Sequence, residues 1–281
     1  MTETQNSRLP PCAASLAEVT QYYQTRARQF GHEGWVWHEQ VISLNGAFRT
    51  EFEKAGQRYV SYYLPPASRG KGLYGKLLAA EKLPVVTTKD CHIEAMLQHL
   101  GHPYALVEGV LDTMEYQLIG EFYGDGRARR SQAFLMNHID EGLTILSAVG
   151  APTLAKRAYC LHPLVQGDTE LQANFEKVVA RLAEVSDGGH TLALAMEYRN
   201  VANAYLAAVR MPEKGIRLSP LADVNAMLVA DKVQNRKDFQ KFHASTHPNR
   251  ARLDEYFKQW CTALSVSEDA YNAFVRQLPR F

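Results

Sequence analysis

The 281-residue chain has only four cysteines, Cys12, Cys91, Cys160 and Cys261, and they lie far apart. No two of them form a CxxC pair, which excludes a zinc ribbon or a thioredoxin motif and leaves reduced thiols as the expectation. Net charge is nearly absent: 31 Lys+Arg stand against 30 Asp+Glu, for +1 overall. No bulk field therefore calls for nucleic acid or an anionic membrane as partner. Long apolar runs are missing, so no membrane span is expected. The opening MTETQNSRLPPCAAS is polar and lacks the apolar core of a secretory signal, and a cytoplasmic location is the expectation. What remains is the balance of a globular protein, 46% hydrophobic and 22% charged, in a length that suits one large domain or two ordinary ones.

The pattern divides the chain. Residues 1–14 read as a disordered lead. Ser15 is placed to cap a helix over Leu16–Phe30. Alternating segments then predict strands at Trp35–Leu44, Ala47–Phe52 and Arg58–Leu64, with Asn45-Gly46 and Ala55-Gly56 as tight turns. A helix is expected over Leu73–Lys82, a strand at Pro84–Thr88, a helix over Ile93–Leu100, and strands at Tyr104–Val110 and Met114–Phe122. The glycine-rich Tyr123–Arg127 reads as a boundary, with an α/β domain over 15–123 and a helical domain over 127–281. The expected fold class is thus α+β, with a mixed sheet first and an all-α part second. Helices are expected at Ser131–Val149, Thr153–Val165, Glu170–Val185, Thr191–Val209, Ala222–His243, Asn249–Leu264 and Glu268–Leu278.

Two stretches carry chemistry. The first is Arg69-Gly70-Lys71-Gly72-Leu73-Tyr74-Gly75-Lys76, between an expected strand and an expected helix. Such a turn collects free backbone N–H groups at a helix start, and glycines let an anion approach them. The GxxxxGK[ST] spacing of a Walker A loop is absent. The stretch resembles the pyrophosphate-binding turn of the GNAT acyltransferases, an Arg/Gln-x-x-Gly-x-Gly/Ala pattern that Arg69 and Gly72 fit. Tyr74 stands where Gly or Ala is usual, and Gly75 comes one residue late. Leu100-Gly101-His102 is similar to the family's later helix ending. The resemblance implies a GNAT-like fold over about residues 15–122 and acetyl-CoA or another acyl-CoA as cofactor, held by Arg69, Gly70, Lys71, Gly72, Tyr74, Gly75 and Lys76. In that family a base deprotonates an amine and a tyrosine protonates the thiolate; Tyr104 is near the acid's usual position, and Glu51, Glu53 or His92 could serve as base. Read from the residues alone, the turn is equally a tight loop that binds no CoA.

The second is a set of three separated elements: Met136-Asn137-His138-Ile139, Ala158-Tyr159-Cys160-Leu161-His162-Pro163, and Leu228-Val229-Ala230-Asp231-Lys232-Val233-Gln234-Asn235. Two His and one Asp on three helices of a bundle can converge on one divalent metal. The order resembles the HD superfamily of metal-dependent phosphohydrolases, above all the branch that hydrolyses guanosine tetraphosphate. The resemblance implies His138, His162 and Asp231 as ligands of a metal such as Mn or Fe. It departs where the family has an aspartate after the second histidine: this chain has Pro163, which has no donor atom. Asp140 or Asp168 is then a candidate substitute. Arg127, Arg129 and Arg130 form a basic cluster that reads either as a grip for a phosphorylated small molecule or as a solvated turn. Polar groups from Glu197 to Asn203 read as a structural network, and His243 with His247 as a solvated turn.

Three functions follow as expectations. The first is an acyl-CoA-dependent N-acyltransferase acting on a small amine or nucleotide-linked acceptor. The second is a metal-dependent phosphohydrolase built on His138, His162 and Asp231. The third is a non-catalytic regulatory protein made of two degenerate enzyme folds. The expected partner is a small-molecule substrate, with neither membrane nor nucleic acid, in a chain that could pair as a homodimer.

Overall fold

The computed structural model describes residues 15–31, 33–88, 91–107, 109–129, 131–206 and 215–278. The expected lead over 1–14 lies outside them. The fold is α+β and divides into two compact units between Gly109 and Val110.

The first unit starts with α1 (Leu16–Gly31). Its start is a reciprocal cap: the Ser15 N–H donates to Glu18 Oε2 at 2.9 Å, and the Glu18 N–H to Ser15 Oγ at 3.3 Å. Strands β1 (Val36–Leu44), β2 (Ala47–Lys54) and β3 (Gln57–Tyr63) form an antiparallel meander. Its turns, Asn45-Gly46 and Ala55-Gly56, have positive φ at both central residues, the geometry that matches strand twist. Helix α2 (Leu73–Ala80), β4 (Val85–Thr88), α3 (Cys91–His99) and β5 (Tyr104–Val107) complete the unit, with β4 parallel to β3 and β5 parallel to β4. The sheet order is β1-β2-β3-β4-β5. Successive side chains alternate between faces, so two separate cores form. Phe48, Phe52, Tyr63, Val86 and Val107 pack with Val19, Tyr23 and Phe30 of α1, while Val60 and Val85 pack with Leu78 of α2 and Leu97 of α3.

The second unit is helical: α4 (Met114–Tyr123), α5 (Met136–Ala148), α6 (Thr153–Val165), α7 (Asp168–Leu182), α8 (Gly188–Leu206), α9 (Ala222–Asp238), α10 (Arg250–Ala263) and α11 (Glu268–Gln277). The stretch expected as a strand over Met114–Phe122 is helix α4. Thr113 caps it by accepting from the Tyr116 N–H, and Leu118 and Ile119 enter the helical core. The short run alternates well enough to suit either period, and the cap with helix packing decides it. For that reason the unit boundary falls before α4 rather than at Tyr123–Arg127. Buried Glu115 of α4 takes the Arg157 guanidinium of α6 at 2.8 Å and the Thr191 hydroxyl of α8 at 3.0 Å, which ties three helices through one carboxylate.

Helices α6 and α9 are buried on most of their faces, the mark of central helices. The last turn of α9 widens into a π-helical turn, Phe239–His243. Helices α5 and α6 approach closely because Gly142 has no side chain: a Cβ there would stand 2.2–2.3 Å from the Tyr159 ring. Gly142→Ala is therefore expected to destabilise the protein by about 1–3 kcal/mol, as overpacking of a fixed core does. Urea unfolding measures this, and an unchanged midpoint would show that Tyr159 is free to move.

Candidate metal centre

His138 lies in the first turn of α5, His162 near the end of α6 and Asp231 in the middle of α9. The fold brings all three together. The two Nε2 atoms are 3.1 Å apart, and Asp231 Oδ1 lies 3.6 Å from His138 Nε2 and 3.9 Å from His162 Nε2. One potential ligand atom from each residue falls within 4.8 Å of the others.

The other ring nitrogens are already engaged. His162 Nδ1 is 2.6 Å from the Tyr159 carbonyl, which can only accept, so Nδ1 carries the proton. His138 Nδ1 is 2.7 Å from Gln234 Oε1. The Gln234 amide has no freedom to turn, because its NH2 donates to Glu141 Oε2 at 3.0 Å and to Asp238 Oδ2 at 2.8 Å. Its oxygen therefore faces His138, which must donate. Lys237 meets Glu141 at 2.6 Å and Asp238 at 2.8 Å and balances the carboxylates behind the amide. His162 thus turns its Nε2 lone pair, and His138 its Nε2, which also lies 3.4 Å from the Tyr159 hydroxyl, to one point that a carboxylate oxygen also faces. A divalent cation between these atoms would engage all three at once, and imidazole with carboxylate is a donor set suited to Mn or Fe. The residues fit a divalent ion.

The electrostatics agree. Burial pushes His162 down to about 3, helped by the neighbouring His138, and so keeps it neutral. Burial alone would raise the Asp231 carboxyl, but the Lys232 ammonium, the largest opposing influence, outweighs it and holds it at about 2. Lys232 lies 2.8 Å from Asp231 Oδ2, with its ammonium 4.9 Å from the Trp260 ring centroid. Asn235 donates to Oδ1 at 2.8 Å. The centre opens on a cavity of about 830 Å³ whose wall includes Pro163, Lys237, Lys241, Arg252, Phe242 and Tyr256.

The substitute carboxylates are not at the centre. Asp140 accepts the Tyr116 hydroxyl at 2.7 Å, and exposed Asp168 pairs with Arg199. Among the described residues no fourth His, Cys, Asp or Glu joins the three. Arg127 lies over the Phe134 ring, 3.7 Å from its centroid, and Arg130 is outside the described residues. The Glu197–Asn203 groups do form a network: Glu197 accepts from Ser219, and Asn203 donates to the Gln166 carbonyl. His243 and His247, expected in a solvated turn, line the cavity.

In the first unit the glycine turn precedes α2 as expected, with Gly70 and Gly72 both left-handed and Gly72 at the helix cap. Arg69 donates from Nε to the Leu64 carbonyl at 2.9 Å. Lys71 and Lys76 are exposed. Gly75 is inside α2, and Tyr74 packs edge-on against Tyr62. The acid and base candidates are not gathered. Glu53 is on β2 beside His38, whereas Tyr104 is on β5, where its hydroxyl accepts from Gln98 at 2.9 Å. Glu51 is held by Arg49 and Arg58, which outweigh its burial and lower its pKa, a poor state for a base. The His92 side chain lies outside the described ones.

The Asp231–Lys232 pairing was readable from their adjacency, but motif reading does not reach Gln234, Lys237 and Glu141 as supports. Gln234 and Asn235 follow Asp231 by three and four residues, so all three share one face of α9, and this spacing was the available signal. The chain matches no protein-family model, and no curated protein or solved structure shows significant similarity to it.

Two outcomes are expected. Gln234→Leu removes the acceptor that orients His138 and should weaken Mn2+ binding about 10–100-fold by calorimetry, as loss of a ligand's hydrogen-bond partner does. In metal-free protein, His162 binds a proton only once unfolded between about pH 6.5 and 3. Unfolding therefore takes up a proton there, and stability should fall as pH drops through that window, by up to about 1.4 kcal/mol per pH unit from this one group. His162→Gln should lack that part of the slope in urea titrations; an identical pH profile would refute the assignment.

Proposed function

We propose that the helical unit is a metal-dependent phosphohydrolase of HD type that acts on a phosphorylated small molecule of nucleotide size. The observation that carries this reading is the convergence of His138, His162 and Asp231 with both Nδ1 atoms satisfied, at the floor of a cavity of about 830 Å³. These three side chains would hold the ion. When bound, it would supply Lewis acidity toward a phosphoryl oxygen and a water made acidic near neutral pH. Gln234 keeps the His138 proton on Nδ1, and the Tyr159 carbonyl does the same for His162. Lys241 and Arg252 in the wall suit a phosphate chain, and the aromatic side chains of Phe242 and Tyr256 add apolar lining. Pro163 stands where the HD pattern has its fourth ligand, so the reading is of a three-ligand centre.

The test is to strip the purified protein, reload it with Mn2+ or Fe2+, and follow phosphate or pyrophosphate release from nucleoside polyphosphates. Metal-dependent turnover is expected, and His138→Ala should lower bound metal and cut turnover at least 100-fold. Failure of the wild-type protein to bind either metal would end this reading.

The acyl-CoA reading of the first unit rests on a separate observation. Strands β3 and β4 pair at one position among the described residues, Val60–Val85, and the left-handed glycine turn follows the unpaired end of β3. Acetyl-CoA at that turn should bind with micromolar affinity, about −8 kcal/mol. Arg69→Glu with Gly72→Asp should abolish it; binding that survives the double change would sink the idea. Neither metal nor CoA binding would leave the third expectation, a regulatory protein.

A further inference from the structure

We propose that Pro163 is a positioning residue of the metal centre, which acts by withholding a backbone N–H and so releasing the Tyr159 carbonyl to hold the His162 ring. In an α-helix the N–H of residue i donates to the carbonyl of residue i−4, so residue 163 is the natural partner of Tyr159. Helix α6 runs from Thr153 to Val165 with Pro163 inside it. Proline has no N–H to give, and its ring crowds the carbonyl four residues back. Tyr159 is fully buried, and a carbonyl left unpaired there is costly.

The structure shows where that carbonyl turns. His162, 1% exposed, places Nδ1 2.6 Å from it. The side chain one residue before the proline thus takes the place of the missing backbone donor. As Nδ1 is spent on the carbonyl, Nε2 is left bare and faces His138 Nε2 at 3.1 Å. An N–H at position 163 would compete for the Tyr159 oxygen and draw it back toward the helix axis. The His162 ring would then lose the bond that sets its tautomer. The proline also lies in the cavity wall itself, so its effect is exerted at the site. The tautomer argument stands on geometry alone; its consequence for the ion rests on the metal-centre reading above.

The experiment is Pro163→Ala in protein labelled with 15N at histidine, with His162 assigned by the signal lost in His162→Gln. Long-range nitrogen–proton correlation should show wild-type His162 protonated at Nδ1, and the alanine variant with a substantial Nε2–H population. Mn2+ affinity should fall about 10–100-fold in that variant, the usual cost of losing a ligand's orienting hydrogen bond. The thermal midpoint should rise, because the helix regains a backbone bond. A higher midpoint with unchanged tautomer and unchanged Mn2+ affinity would show the proline to be merely structural and overturn the proposal. A wild-type His162 protonated at Nε2 would overturn it without any variant. If wild-type protein binds no Mn2+, the metal-centre reading fails, while the tautomer comparison still decides the role of Pro163.

Discussion

The charge on Asp231 is the constraint around which the helical unit is arranged. A carboxylate 3% exposed in a helical core is expensive unless it is paired and hydrogen-bonded. The Lys232 ammonium and the Asn235 amide meet it from its own helix, and the two imidazoles face it from α5 and α6. Lys232 is itself 3% exposed, and the Tyr256 and Trp260 rings of α10 pack over its ammonium. Four helices are therefore committed to one buried ion pair. Apolar packing alone would let α5, α6 and α9 slide or rotate by small amounts at little cost. A directional set of polar contacts among them would not. In this unit the site and the scaffold are the same set of interactions.

How much of this the sequence discloses differs between elements. Local signals were legible: the Ser15/Glu18 cap, the Asn45-Gly46 turn and the Thr153–Val165 helix lie where spacing and turn chemistry put them. The Met114–Phe122 segment reads as a strand because its alternation suits one, whereas the helices that fix it as α4 are remote in sequence. The ligand trio was legible because each residue sits in a recognisable local pattern and the order is informative. Its supports were not, because Gln234, Glu141 and Lys237 are ordinary residues whose roles come from distant contacts: Gln234 reaches His138 across 96 residues of chain. In sequence, Pro163 is only a loss, a ligand position without a donor. That it also frees the Tyr159 carbonyl depends on the direction of the His162 ring, which no spacing rule supplies.

The two candidate sites differ in how much the surroundings determine them. The glycine turn has the backbone conformation for an anion, but its lysines are exposed, and Arg69 is engaged in closing the turn. A tight loop would look much the same. The His138/His162/Asp231 cluster is more closely determined, because hydrogen bonds from Gln234 and the Tyr159 carbonyl fix both rings with their Nε2 atoms 3.1 Å apart beside a buried carboxylate.

The charge balance also bears on what would enter the cavity. Asp231 is already neutralised by Lys232, and Lys237 offsets part of the charge on Glu141 and Asp238. A divalent ion held by two neutral imidazoles and a carboxylate spoken for by lysine would carry most of its charge undiminished. In a partly buried setting that charge favours an anion far more than bulk water would. Had Pro163 been a fourth, anionic ligand, much of that attraction would have been cancelled by the protein itself. If the cluster holds a metal as proposed, such a three-ligand centre would suit a polyanionic substrate that supplies the compensating charge better than a neutral one.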